Sequence, residues 1–252
     1  MGKKGGSLHL KREASPPFWP IHRKKFVWTV KPRPGPHPIS RCIPLLLIIR
    51  DMLGFAETRK EAKKIISQGK ILVDGRVRRD DRYPVGLMDV VSIPELKMNY
   101  RVLPFKKGLT LHPIDEKEAS FKLCRIENKT TVKGGHIQLN LHDGRNILIR
   151  VEDPENPVED EYQTLDTLMI SIPDQEIIEH LPLKEGMSAI ITDGKNIGKH
   201  GLISSIDERP GQKRRRFLVS IKDEAGSIYQ SILDYIFVIG DEEPRISLEL
   251  EA

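Results

Sequence analysis

Apolar positions recur along this chain with two different periods, and the change from one to the other divides it. From residue 43 to 53, Leu45, Leu46, Ile49, Met52 and Leu53 supply the inward face of a first helix. In the next stretch Ala62, Ile65 and Ile66 fall on one side of a second helix, while Arg59 with Lys63 and Lys60 with Lys64 stack one turn apart on the other. The ends of that helix are written locally. Thr58 caps its start with Glu61 reaching back from three residues on, and Gly69 supplies a left-handed stop. Ile71-Leu72-Val73 and Arg76-Val77 then flank Asp74-Gly75, a pair that tolerates positive φ at both positions. That pattern predicts a tight hairpin with Arg76 beside the basic helix face. Residues 89–94 close the segment as a strand.

Beyond this point the helical period gives way to short alternating runs. Tyr100-Arg101-Val102-Leu103, Leu109-Thr110-Leu111, Phe121-Lys122-Leu123, and residues 136–141 and 146–149 read as strands, with Asp143-Gly144 as a second hairpin turn. They predict a central all-β domain. The acidic stretch 152–161, with Pro154 and Pro157, reads as a solvated connection. Between 184 and 240 an apolar strand, a Gly-rich basic loop and a returning strand (186–206) are followed by Phe217-Leu218-Val219-Ser220-Ile221 and Ile236-Phe237-Val238-Ile239, a second β unit. The cationic run 209–216 lies between its strands. The expected fold is α+β, divided as 1–41 (arm), 42–105 (small α/β domain), 106–180 (central β domain), 181–240 (β barrel) and 241–252 (tail).

Residues 1–41 carry no period at all. Pro16, Pro17 and Pro20, and then Lys31-Pro32-Arg33-Pro34-Gly35-Pro36-His37-Pro38, predict an extended or polyproline arm that needs a surface to order it. Charge singles out the same segment. It holds ten Lys and Arg residues against Glu13, 10 − 1 = +9, whereas the whole chain carries only +5, so the remainder sums to 5 − 9 = −4. A basic arm gains affinity for phosphate backbones by releasing counterions. Both tryptophans, Trp19 and Trp28, sit in the arm with Phe18 and Phe26. Aromatic groups between cations either stack on exposed bases or anchor the arm to its own body or to a neighbour.

Composition narrows the class further. With 252 residues and 38% hydrophobic content the chain can build two or three small domains. Its longest aliphatic run, 43–49, contains Pro44 and falls far short of the roughly 20 residues that span a bilayer. No apolar leader follows Met1, so a reduced cytosolic protein is expected. Cys42 and Cys124 lie far apart without Cys-x-x-Cys partners, which argues against a disulfide framework or zinc site and for small packed side chains. Residues 194–200 spell Gly-x-x-x-Gly-Lys-His, one residue short of a nucleotide-binding loop and without its hydroxyl. His136 and His142 lie at hairpin turns, and no serine or cysteine has nucleophile spacing. Neither catalysis, a metal, a cofactor nor a small-molecule substrate is expected.

The order of features from the leucine-rich helix through Thr58-Arg59, Gln68-Gly69-Lys70 and Asp74-Gly75 resembles the S-four-type RNA-binding domain. Carried over position by position, the resemblance implies RNA-facing groups at Thr58, Arg59, Lys63, Lys64, Gln68, Lys70 and Arg76. Asp74 departs from the Asn of many relatives: it keeps the turn but offers no donor. Residues 186–206 resemble the KOW motif of a small SH3-like barrel, with Gly201 as its central glycine and Lys195 and Lys199 in its loop. Further along the chain, Leu10-Lys11-Arg12, Pro32-Arg33-Pro34-Gly35-Pro36-His37, the 70–78 hairpin, Tyr83-Pro84-x-Gly86-x-Met88-Asp89-Val90 and Leu139-Asn140-x-His142-Asp143-Gly144 fit one family together. They are similar to the archaeal and eukaryotic small-subunit ribosomal protein family S-four-e, and the chain length favours an archaeal member. The resemblance implies a non-catalytic, ribosome-associated cytoplasmic protein, with small-subunit ribosomal RNA and neighbouring ribosomal proteins as partners, no membrane and no homo-oligomer. Lys11, Arg12 and Arg33 in its arm motifs are further expected RNA contacts, and so, from the cationic run beside the Gly-rich Lys loop, are Lys195, Lys199, Arg214 and Arg215. A free transcription or translation factor using an RNA-binding domain and a KOW barrel is the alternative.

Overall fold

The computed structural model describes residues 7–106, 108–153, 158–208, 217–223 and 225–248. They divide into two compact units, the first drawn from 1–102 and 107–113, the second from 103–106 and 114–252. Among the described residues no helix is long and apolar enough to cross a membrane.

In the first unit the arm folds back on its own chain. β1 (Leu10–Lys11) pairs antiparallel with β2 (Trp28–Thr29), Leu10 opposite Thr29 and Lys11 opposite Trp28. Two guanidiniums gather the carbonyls of the intervening loop. Arg12 donates to Trp28 O at 3.2 Å and His22 O at 2.7 Å, and Arg23 donates to the carbonyls of Glu13, Ser15 and Pro16. Trp19 is 3% exposed and its indole N–H donates to Cys42 O at 2.8 Å, while Val30 is equally buried beside it. Burying one tryptophan, 150–250 Å² at about 25 cal/mol per Å², is worth roughly 4–6 kcal/mol. The prolines do keep most of the segment irregular. The surface that orders it belongs to the chain itself.

β3 (Cys42–Pro44) leads into α1 (Leu45–Leu47), continued by a π-helical turn (Ile48–Met52) in which Leu53 N–H donates to Ile48 O. Leu45 to Ile49 are buried without interruption, so the first turn is apolar all round, and only the π-helical turn offers polar groups to solvent, at Arg50 and Asp51. α2 (Arg59–Ser67), β4 (Leu72–Val73), β5 (Arg76–Val77), β6 (Pro84–Gly86), β7 (Val90–Ile93), β8 (Met98–Phe105) and β9 (Gly108–Ile114) follow. β3 pairs with β6, and the remaining strands form a sheet in the order β5-β4-β7-β8-β9. Leu109-Thr110-Leu111, read from the sequence as part of the central domain, therefore extends the first unit's sheet. Phe18 seats against this strand at Gly108, where a Cβ would lie 2.1 Å from the Phe18 Cβ.

The segment 80–89 receives both the arm and the first helix. Arg33 N–H donates to Arg82 O, and Leu45 and Leu46 N–H groups donate to Tyr83 O and Asp81 O. His37 lies flat against Gly86, where a Cβ would come within 2.3 Å of the ring, and its Nε2 is 3.1 Å from both Asp89 carboxylate oxygens. A carboxylate only accepts, so Nε2 carries the hydrogen. Asp89 also accepts from Gly86 N–H at 2.8 Å. The Pro36-His37 and Gly86-x-Met88-Asp89 motifs are thus two halves of one lock. Burial, with a smaller contribution from the negative Asp89, pushes the nearby Cys42 thiol up to about 12, leaving it an inert packed group.

The second unit holds two antiparallel sheets. β10 (Phe121–Thr131), β11 (Ile137–Leu141), β12 (Asn146–Ile149), β13 (Thr167–Ser171) and β14 (Ile177–Leu181) are ordered β12-β11-β10-β13-β14. β15 (Ser188–Ile191), β16 (His200–Glu208), β17 (Phe217–Lys222), β18 (Ile228–Ile232) and β19 (Ile236–Gly240) are ordered β18-β17-β16-β15-β19. A Cβ on Gly201 would lie 2.2 Å from Lys222 O, so β16 and β17 approach here as only glycine allows. Residues just beyond Gly240 are held as well, up to Ile246: Arg245 N–H donates to Ile239 O and Ile246 is buried.

Candidate nucleic-acid interface

The basic face of α2 is built by its cap. Thr58 Oγ1 accepts Glu61 N–H at 3.3 Å, and the Glu61 carboxylate accepts the N–H groups of Thr58 at 3.2 Å and Glu57 at 3.1 Å. The Thr58 backbone bond first, then its hydroxyl and then the Glu57 N–H hold the Glu61 carboxyl below its ordinary range. With the first turn fixed, Ala62 and Ile66 go into the core and Arg59, Lys60, Lys63, Lys64 and Gln68 stand exposed. Arg59 is only loosely drawn to Asp81, 3.6 Å away, with half of its side chain in solvent.

The hairpin behind the helix has positive φ at both Asp74 and Gly75, +50° and +70°, as its sequence requires. Asp74 is buried, its Oδ1 accepting Val90 N–H at 2.9 Å while its own N–H donates to Val90 O. It is a clasp between β4 and β7. Arg76 is exposed on β5, and Lys70 makes an exposed pair with Glu95 at 2.9 Å. A surface pair of this kind is worth about 1 kcal/mol at most, so a phosphate can displace the carboxylate. Arg79 escaped the pattern reading. Its guanidinium lies against Gly69, where a Cβ would be 3.3 Å from Nε, and it is exposed at the C-terminal end of α2. The only signal for it was the Arg76-x-Arg78-Arg79 run. Arg78 is used differently, stacked 4.4 Å above the Tyr83 ring.

In the arm the expected cations separate. Lys11 is exposed on β1, and Arg33 is exposed while pairing with Asp80 at 3.1 Å. Arg12 is buried, bound to two carbonyls and stacked 5.0 Å from the Phe26 ring centre. Its place in the RNA-facing set is corrected accordingly: the guanidinium organises the arm's own backbone. Desolvation, with the positive charge of Arg50 next, lowers its pKa.

In the loop between β15 and β16, Lys195 is exposed and Lys199 lies 5.2 Å over the Tyr229 ring. Asn196 closes the loop by donating to Gln230 O. Arg214 and Arg215 lie outside the described residues.

Comparison with known proteins gives a consistent set of relatives. The model of the Ribosomal family S4e matches residues 96–177, that of the RS4NT domain residues 4–40, and that of the S4 domain residues 46–91. The chain is 57% identical to small ribosomal subunit protein eS4 of Staphylothermus marinus over 249 residues, covering 98% of both chains. It is 52% identical to the protein of that name from Methanocaldococcus jannaschii, over 98% of this chain and 100% of the other. Among solved structures, the crystal structure of the 30S ribosomal protein S4e from Thermoplasma acidophilum matches with a TM-score of 0.65 and 32% identity, over 80% of this chain and 96% of that one.

Proposed function

Because this chain belongs to the S4e family of ribosomal proteins, structural constituents of the small subunit and not enzymes, we propose that it is fastened to small-subunit ribosomal RNA chiefly through the exposed face of α2 and the β4–β5 hairpin. The observation that carries this reading is a capped helix with one face in the core and Arg59, Lys60, Lys63 and Lys64 in solvent. Such a face meets phosphates as a preformed array, so little ordering opposes binding. Arg76, Arg79 and Lys70 widen the array past the end of the helix.

Lys11 and Arg33 of the arm and Lys195 and Lys199 of the second unit are further backbone contacts in this reading. The β15–β19 sheet, with its basic loop and the close approach at Gly201, is a KOW-like SH3-type unit that helps to orient the protein. The chain works in the cytoplasm as one copy among neighbouring ribosomal proteins and does not pair with itself.

Sedimentation of a cell extract through sucrose tests the assignment. The protein is expected with small subunits at moderate salt, and a chain found in the light fractions is a free factor instead. Reversing Arg59 and Lys63 together to Glu is expected to weaken binding to small-subunit RNA and to flatten its salt dependence by about one unit for each phosphate no longer neutralised. Unchanged affinity and slope would remove α2 from the interface.

A further inference from the structure

The four aromatic side chains of the arm face two ways. Phe18 and Trp19 go inward, onto β9 and into the core, whereas Phe26 is 61% exposed and Trp28 57% exposed. Leu8 and Val27 are exposed as well, and the His9 ring lies 5.7 Å from Trp28. This outward cluster is not a frayed end. Trp28 is fixed in the β1–β2 ladder opposite Lys11, and its carbonyl accepts from the buried Arg12. Arg12 in turn supports the Phe26 ring from one side, with Lys25 Nζ 5.9 Å from the same ring. Two aromatic rings are therefore held exposed to solvent, one on the β1–β2 ladder and one against the buried Arg12.

From this arrangement we infer that Trp28 and Phe26 form a stacking platform for an unpaired base of the RNA, a contact that rests on the RNA-binding reading above and adds base stacking to its phosphate contacts. Charge decides between RNA and a neighbouring protein as the occupant. Lys11, Lys24 and Lys25 are exposed around the two rings, against Glu13 as the arm's sole carboxylate. A polyanion with flat aromatic bases matches both properties at once, because each base supplies a π-face and its phosphates supply the charge. Base pairs inside a helix present edges, not faces, so the platform takes a nucleotide from a loop, bulge or strand end.

The chain carries its own reporter. Trp19 is buried and out of reach, so a stacked base quenches the fluorescence of Trp28 alone. With the full-length protein, a short oligoadenylate single strand is expected to quench emission while a blunt RNA duplex of equal length leaves it unchanged. Trp28→Phe should abolish the quenching and, because an aromatic face remains, weaken the affinity for small-subunit RNA less than Trp28→Ala. Trp28→Ala should weaken that affinity about 5- to 150-fold with the salt slope unaltered, since a stacked base is not a phosphate contact.

Wild-type affinity for Trp28→Ala would overturn the platform and leave the α2 interface standing. A changed salt slope or thermal midpoint in that variant would also overturn it, because the residue would then act through the arm's fold. If RNA leaves the emission untouched and the other small-subunit proteins shift it, the cluster is a protein contact and the inference fails. Absence of any RNA binding by the wild-type chain would remove the underlying reading itself.

Discussion

Lys122 and Asp143 face each other at 2.9 Å with 0% and 1% of their side chains in solvent. Burial alone would raise the Asp143 carboxyl, but the charge of Lys122, then His142, the hydrogen bond from Lys122 and Arg145 together outweigh it and bring the group down to about 2. Its folded value lies below the ordinary 3.8, so its contribution to stability is complete above pH ~4 and is lost as pH falls towards 2. Acid titration followed by circular dichroism should show unfolding of the second unit in that window. Asp143→Asn keeps the shape and removes the charge that faces the buried Lys122 and Arg145. A loss of about 3–5 kcal/mol in urea unfolding is expected. Asp143 therefore serves the fold through the β11–β12 turn, which explains a motif that looks functional in the sequence. His37, Gly86 and Asp89 illustrate the same point in the first unit. Gly86→Ala would drive a methyl group into the imidazole and release the arm, a change that limited proteolysis within 20–40 can detect.

At the scale of the element, α2 and its hairpin were legible because everything that fixes them lies within a few residues. The Thr58–Glu61 box, the Gly69 stop and the Asp74-Gly75 turn occur as their residue types dictate. Thr58→Ala should cost about 1 kcal/mol of stability, read as a lower thermal midpoint. The Glu61 carboxyl is held low by the cap, so this part of the helix's stability is present at neutral pH and is lost as acid protonates it. The arm was not legible, for the converse reason. Its ordering contacts run from Trp19 to Cys42, from Phe18 to Gly108 and from His37 to Asp89, and no local period encodes such distances. Arg12 was misplaced by the same logic. In a proline-rich segment a cation looks solvated until the carbonyls that surround it are known. The first helix was recognised but not the full burial of its first turn, Leu45 to Ile49, since a turn buried all round and one with a single apolar face share the same leucines.

For the whole molecule, the two units answer differently to truncation. Removing residues 1–41 takes Trp19 and Val30 out of the core and empties the His37 site on Gly86, so the first unit is expected to lose cooperative unfolding. A shortened chain that unfolds as sharply as the full one would restore the picture of a dispensable tail. The second unit has its own buried cluster, Cys124 to Ile170, and should melt as before. The lock between His37 and Asp89 also sets an order of events in synthesis. Its halves are 52 residues apart in the chain, and at ribosomal speeds of 5–20 residues per second roughly 3–10 s separate their emergence. Throughout that interval a nascent segment with both tryptophans and ten cations has only its own local contacts and lacks the lock that fastens it to the 80–89 segment. Newly made copies are thus most vulnerable to premature capture by RNA or chaperones before residue 89 has left the exit tunnel.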